Sequence, residues 1–402
     1  MKKILLILLA FFALSMNAQD KQLNVQDKQL VVNVYVDNTG SMFGYISHGN
    51  EFEWTISNML TSINLSGLTD ESNIHLSYIN SEIFPYIGKV SSFIGGVTVH
   101  NAQTYKGDLG KTCMSNFFSR VLTRTGNDTI SIIISDFIIS PGKGGDAAAV
   151  LASEKNAIAS IVKAKIAEQP DLAMCMYRLE SNFKGKFFDC LDNFREINEV
   201  RPYYMLVISN RANITEFRNK VPYQSLDNGH GVSAVTNSYT FFNAGNNTPK
   251  YMFIAPSKGS VIQGAKGVRG AKLGSDGKFK FIIAIDLSKY RLLGKYVMDP
   301  SSYILNNKQY KITKIQPVKG NGTTHRILIE TEKSPTPGKI TLTLKNNSPQ
   351  WVADYNVDAN DCDKIFTDLN KTFGIKTIID AIFSAYNYQK NDLFSVTVSI
   401  NE

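Results

Sequence analysis

The sequence predicts an α/β domain with a mainly parallel sheet flanked by helices, followed by a β-rich, sandwich-like domain. Three observations carry that expectation. From Leu30 to about Val221, strand-length apolar runs alternate with helical patterns, an order that builds parallel sheets. After about Val235, strand-like runs follow one another with Gly, Pro and Asn between them, the pattern of an antiparallel sandwich or barrel. Finally, 402 residues of which 43% are hydrophobic exceed what one core needs, so two domains are expected, over 30–225 and 235–402.

Residues 1–18 have the order of a secretory signal peptide: Lys2 and Lys3, an apolar run from Ile4 to Leu14, then small residues ending at Ala18. The run is shorter than the roughly 20 residues that span a bilayer. An exported chain, periplasmic or at the cell surface, is therefore expected. Residues 19–29 read as a solvated leader with a short duplication, Asp20-Lys21-Gln22-Leu23 and Asp27-Lys28-Gln29-Leu30.

The Val-rich run Leu30 to Val36 suits a buried strand. Glu51 to Ile63 places Phe52, Ile56, Met59, Leu60 and Ile63 on one helical face. Strands are expected at Ile74 to Ile79 and Ile83 to Val90, and a helix at Met114 to Leu122. Thr129 to Ile139 is β-branched and strand-like, and Ala147 to Glu168 is an Ala-rich helix. Leu172 to Arg178 and Tyr203 to Ser209 close the first series as strands. In the second half, strands are expected at Lys250 to Ala255, Lys278 to Leu287, Tyr310 to Val318, Arg326 to Glu332 and Lys339 to Leu344. A helical insertion near 361–388 precedes a last strand at Leu393 to Ile400.

The formal charge of +8 comes from scattered Lys and Arg, which describes a solvated surface and not a nucleic-acid track. The cysteines are Cys113, Cys175, Cys190 and Cys362, without paired metal-ligand spacing. A bridge between Cys175 and Cys190 on neighbouring strands is one pairing open to an oxidising compartment. The five histidines show no pair at ligand spacing.

Asp37 stands where the first apolar strand stops, and sites in open α/β sheets lie at the carboxyl ends of strands. The loop Asp37-Asn38-Thr39-Gly40-Ser41 offers a carboxylate and two hydroxyls at alternate positions, the oxygen donors that a hard cation takes. The same five residues also suit an ordinary strand-to-helix turn with capping side chains. A second aspartate, Asp136, ends the later strand Ile132-Ile133-Ile134-Ser135.

In these residues the chain resembles the von Willebrand factor A (vWA) domain, a Rossmann-type fold. Asp37, Thr39 and Ser41 match that family's Asp-x-Ser/Thr-x-Ser motif over a resemblance spanning roughly residues 30–221. The resemblance implies a metal-ion-dependent adhesion site of Asp37, Thr39, Ser41, Thr112 and Asp136, with Thr104 as the alternative to Thr112. It implies Mg²⁺ (or Mn²⁺ or Ca²⁺) as the cation. It also implies a protein ligand that offers a carboxylate to the metal, in adhesion or assembly of an envelope complex.

Other motifs weigh less. Gly110-Lys111-Thr112 lacks the first glycine of a phosphate loop, which falls at Tyr105. An aspartyl nucleophile at Asp37 would make a phosphatase-like hydrolase, but Thr39 occupies the place of its usual second aspartate. The aspartates Asp354, Asp358, Asp361 and Asp363 lack the glycine and glutamate of a calcium loop. The Lys-rich stretch Lys258 to Lys280 has no interleaved aromatic residues for base stacking and reads as a hairpin loop.

Overall fold

A computed structural model describes residues 30–46, 49–94, 105–110, 113–245, 248–254, 256–262, 266–320, 322–387 and 392–401. The chain begins with β1 (Val31–Asp37), α1 (Glu51–Leu65), β2 (Ile74–Ile79) and β3 (Ile83–Pro85). A short helix α2 (Val90–Ile94), α3 (Met114–Thr123), β4 (Thr129–Ser135) and α4 (Ala147–Glu168) follow. Two long strands, β5 (Leu172–Phe188) and β6 (Phe194–Asn210), lead to α5 (Arg211–Lys220) and β7 (Val235–Phe242). These strands form one seven-stranded sheet in the order β3-β2-β1-β4-β6-β5-β7.

β1 and β4 sit in the middle because both are covered on both faces: Val32, Val34, Val36, Ile130, Ile132 and Ile134 are buried on one side, and Tyr35, Ser131 and Ile133 on the other. α1 buries the face read from its spacing, and its N-terminus is capped by Asn50, whose side chain accepts from the Glu53 amide. Asp146 caps α4 in the same way. The strand expected to run to Val90 stops at Pro85, which pairs with Ser77, and the chain turns helical at Val90.

The sheet is mixed, not mainly parallel. β1 pairs in parallel with β2 and β4, while β3, β6, β5 and β7 pair antiparallel to their neighbours. The cause is local: a tight turn at Asp189–Asn193 joins β5 to β6, and strands joined without a crossover must run antiparallel. The two strands stay paired for 17 residues each, far beyond the apolar stretches visible in the sequence.

The remaining strands are β8 (Tyr251–Ile254), β9 (Ser260–Val261), β10 (Gly267–Arg269), β11 (Phe279–Ile285), β12 (Tyr303–Leu305), β13 (Lys311–Pro317), β14 (His325–Thr331) and β15 (Gly338–Lys345). After α6 (Gln350–Asp354) come β16 (Asn356–Val357), β17 (Thr372–Phe373), α7 (Ile375–Asn387) and β18 (Asp392–Asn401). They make a five-stranded sheet, β12-β15-β18-β10-β9, and a four-stranded one, β13-β14-β11-β8. Both are antiparallel except for the parallel pair β10–β18.

The two halves are tied together. Strand β7 is the last strand of the first sheet, so the change of pattern near 235 falls inside that sheet. Helix α7 packs on α4. Among the described residues no helix is long and apolar enough to cross a membrane.

The disulfide joins Cys190 to Cys362 and not to Cys175, which is buried with a free thiol. Cys175 is buried near the start of β5, whereas Cys190 lies at the β5–β6 turn, where the chain segment before β17 reaches it. The bond closes 172 residues of chain. We expect Cys362→Ser to lower the unfolding free energy by about 2–5 kcal/mol. Equal denaturation midpoints for this variant and the oxidised protein would show that the bond does not hold the two halves.

Candidate metal centre

Three parallel strands end together. The chain leaves β1 for β2 on one side and returns to β4 on the other, so the end of β1 is a topological switch point. Asp37 pairs in register with Ile79, and Val36 with Ile134. Four side chains gather at or just beyond those ends: Asp37 at the end of β1, Asn80 after β2, Ser135 at the end of β4 and Asp136 after it.

The motif loop folds around its own aspartate. Asp37 Oδ1 accepts from the Thr39 amide and the Thr39 hydroxyl, each at 2.8 Å. The Thr39 and Ser41 hydroxyls lie 3.3 Å apart. Ser135 Oγ donates to Asp37 Oδ2 at 2.6 Å. On the other side, the nearby Ser41 hydroxyl helps hold the Asp136 carboxyl down, and Asp136 Oδ1 accepts from the Ile138 amide at 3.1 Å. Asp37, Thr39, Ser41 and Asp136 are thus brought together. Thr112 and Thr104 lie outside the described residues.

Both carboxylates are buried, Asp37 fully and Asp136 at 2% exposure. Burial, then the charge of Asp136, pushes the Asp37 carboxyl up to about 7, against the pull of its hydrogen bonds. Burial also raises Asp136, while its hydrogen bonds and the Arg201 guanidinium pull it back. Neither carboxylate has an ion-pair partner among the described residues. Two facing buried acids without a cation are costly.

The backbone beside Asp136 is itself unusual. Phe137 has φ 52°, a left-handed conformation that bulky residues avoid. It is held there by its amide donating to Ser135 Oγ at 2.9 Å and by its buried ring against Tyr204. Backbone strain of this kind collects at functional sites.

Several members carry no sequence signal. Asn80 Nδ2 donates to Asn38 Oδ1 at 3.0 Å and to the Lys106 carbonyl at 2.6 Å, and Asn38 Nδ2 donates to the same carbonyl at 3.1 Å. Gly40 donates its amide to Leu109 O at 2.8 Å. The segment 105–110 is therefore stitched onto the motif loop. A signal for Ser135 existed, as the hydroxyl next to an aspartate at a strand end. Asn80 had none, because its importance rests on the β1–β2 register.

Gly107 makes that docking possible. It has φ 83°, and a Cβ there would lie 2.3 Å from Asn80 Oδ1 and 2.5 Å from the Phe84 ring. Gly142, at φ 80°, has nothing within 4 Å. We expect Gly142→Ala to cost about 1 kcal/mol from backbone strain. Gly107→Ala adds the overpacking cost of about 1–3 kcal/mol. Equal denaturation midpoints for the two variants would remove Gly107 from this role.

Among the described residues no three His, Cys, Asp or Glu side chains gather as ligands. The donors here are two carboxylates and neutral hydroxyls. That set suits Mg²⁺ or Mn²⁺ and not Zn²⁺, which takes His and Cys. Asp37, Asp136, Ser41 and Thr39 are the residues that would hold the ion. No family model matches the sequence, and no curated protein or solved structure matches it either.

Proposed function

We propose that the chain is an exported, vWA-like binding protein that recognises a carboxylate-bearing protein ligand through a divalent cation at Asp37, Thr39, Ser41 and Asp136. One observation carries this reading: two buried carboxylates face each other across paired hydroxyls at the switch point, with no side-chain cation bonded to either. Asp37, Asp136, Thr39 and Ser41, one oxygen each, would supply four ligands to an ion that takes six, so a bound ion would keep an open position for a carboxylate oxygen of the ligand. The Cys190–Cys362 bond supports an oxidising setting outside the cytoplasm.

A hydrolase with Asp37 as nucleophile is less well supported, since both Asp37 oxygens are engaged by Thr39 and Ser135. The test is thermal unfolding with Mg²⁺, Mn²⁺ or Ca²⁺ against chelator. Saturation at a hundredfold excess over Kd stabilises the fold by about 2.7 kcal/mol, a rise of a few degrees in Tm. No rise with any of the three ions defeats the proposal.

A further inference from the structure

A second site lies at the far side of the seven-stranded sheet. Strand β7 is the terminal strand, and among the described residues no strand pairs with its outer edge. A cavity of about 530 Å³ runs along it and is lined by five consecutive residues, Val235 to Tyr239. Side chains alternate across a strand, so a cavity on one face would meet every second residue. Alternation breaks at the bulge at Thr236, but Asn237, Ser238 and Tyr239 beyond it also line the cavity in a row, so the five residues meet it at the edge itself, where backbone N–H and C=O groups project. At about 3.4 Å per residue this is about 17 Å of edge, enough for a short added strand.

The opposite wall is aromatic and cationic. Tyr296 stands edge-on to Tyr239 at 5.4 Å, and its hydroxyl donates to the Lys345 carbonyl at 3.0 Å. Lys295 and Lys345 line the cavity, and neither ammonium has an ion-pair partner among the described residues. The one carboxylate in the lining, Asp299, is already engaged: its two oxygens accept from the Ser301 amide at 2.8 Å and the Ser301 hydroxyl at 2.7 Å. Two further lining residues, Trp351 and Ser348, each hold a polar atom, Nε1 and Oγ, buried beside the cavity without a hydrogen-bond partner. Buried polar groups left unpaired each cost about 1–3 kcal/mol, which favours a small shift of this wall that lets an incoming carbonyl bond them.

We propose that this crevice takes an extended acidic peptide segment of a partner protein, added to the sheet as an eighth strand beside β7. Main-chain bonds to the β7 edge supply the affinity, and the aromatic wall receives alternate side chains. Acidic side chains of the segment meet Lys295 and Lys345. The site is independent of the cation centre: β7 lies four strand positions from β1, or about 19 Å at 4.8 Å per strand.

The test is selection of a displayed random octapeptide library on the full chain in the presence of chelator, which silences the cation centre. The expected result is enrichment of proline-free peptides rich in Asp and Glu. Their affinity falls by about tenfold or more in the double variant Lys295→Glu, Lys345→Glu. Amide exchange in the complex should slow within Val235–Tyr239, which a surface charge contact alone does not produce. The double variant's unchanged denaturation midpoint would confirm that it folds. Three outcomes overturn the proposal: no enrichment, enriched peptides that bind the double variant equally well, or binding without protection of the β7 amides.

Discussion

Asp37→Asn is expected to abolish the Mg²⁺-dependent rise in Tm while leaving the metal-free protein at least as stable as the wild type at pH 8. An amide matches the carboxylate in shape and keeps an oxygen acceptor for Thr39, which donates to Asp37 by amide and hydroxyl. It removes one of two buried negative charges. The sign follows from the direction of the shift. Asp37 holds its proton to about 7 when folded, above its ordinary value of 3.8 when unfolded. Ionising it therefore costs the folded state stability as pH rises from the unfolded value to about 7. Asparagine escapes that cost. It also lacks the charge that would hold a dication, so the stabilisation of about 2.7 kcal/mol at a hundredfold ligand excess disappears. Paired melts with Mg²⁺ and with chelator read both effects. A variant that still gains stability from Mg²⁺ would place the cation elsewhere. A variant much less stable without metal would make Asp37 a purely structural hydrogen-bond acceptor.

The second large effect is expected at Arg178. This side chain is fully buried in β5. Its Nη1 donates to Glu180 at 2.6 Å and Thr236 at 2.8 Å, its Nη2 donates to the Asn370 carbonyl at 2.9 Å, and its guanidinium lies 3.7 Å from the Tyr355 ring centre. On the neighbouring strand Arg201 donates to the Leu369 carbonyl at 2.7 Å and stacks on Phe187. Two adjacent carbonyls of the segment before β17 are thus gripped from the first sheet. Arg178→Met fills the space but leaves the Asn370 carbonyl without its donor. The expected loss is about 2–4 kcal/mol of unfolding free energy, combining an orphaned buried acceptor with lost packing. Lysine does not restore it, because one ammonium cannot span both bonds and the stacking. Urea unfolding measures it, and a loss below about 1 kcal/mol would mean that this clamp contributes little.

Elements whose signal is local were legible in the chain. The β-branched runs of β1 and β4 and the apolar face of α1 are properties of neighbouring residues, and the structure has all three, with β4 ending at Ser135 instead of running on to Ile139. The grouping of Asp37, Thr39 and Ser41 with Asp136 was what the family resemblance of one short loop and one strand end implied. Pairing was not legible. Nothing in Phe194 to Val200 marks a strand, because that part of β6 is exposed and is held by backbone bonds to β5 instead of by apolar alternation. The place of β7 at the edge of the first sheet was equally hidden, since a strand does not encode which neighbour it will meet.

By itself, then, the sequence determined the elements with a local signal, β1, β4 and α1 among them, and which loop carries the converging oxygens, for periodicity and short motifs act over a few residues. Only the tertiary structure decided the mixed order of the sheet and the Cys190–Cys362 bond. It alone brought Asn80 and Ser135 to the motif loop and left the β7 edge open. Those features join residues from 42 to 172 positions apart in the chain, and the packing of the whole core selects them.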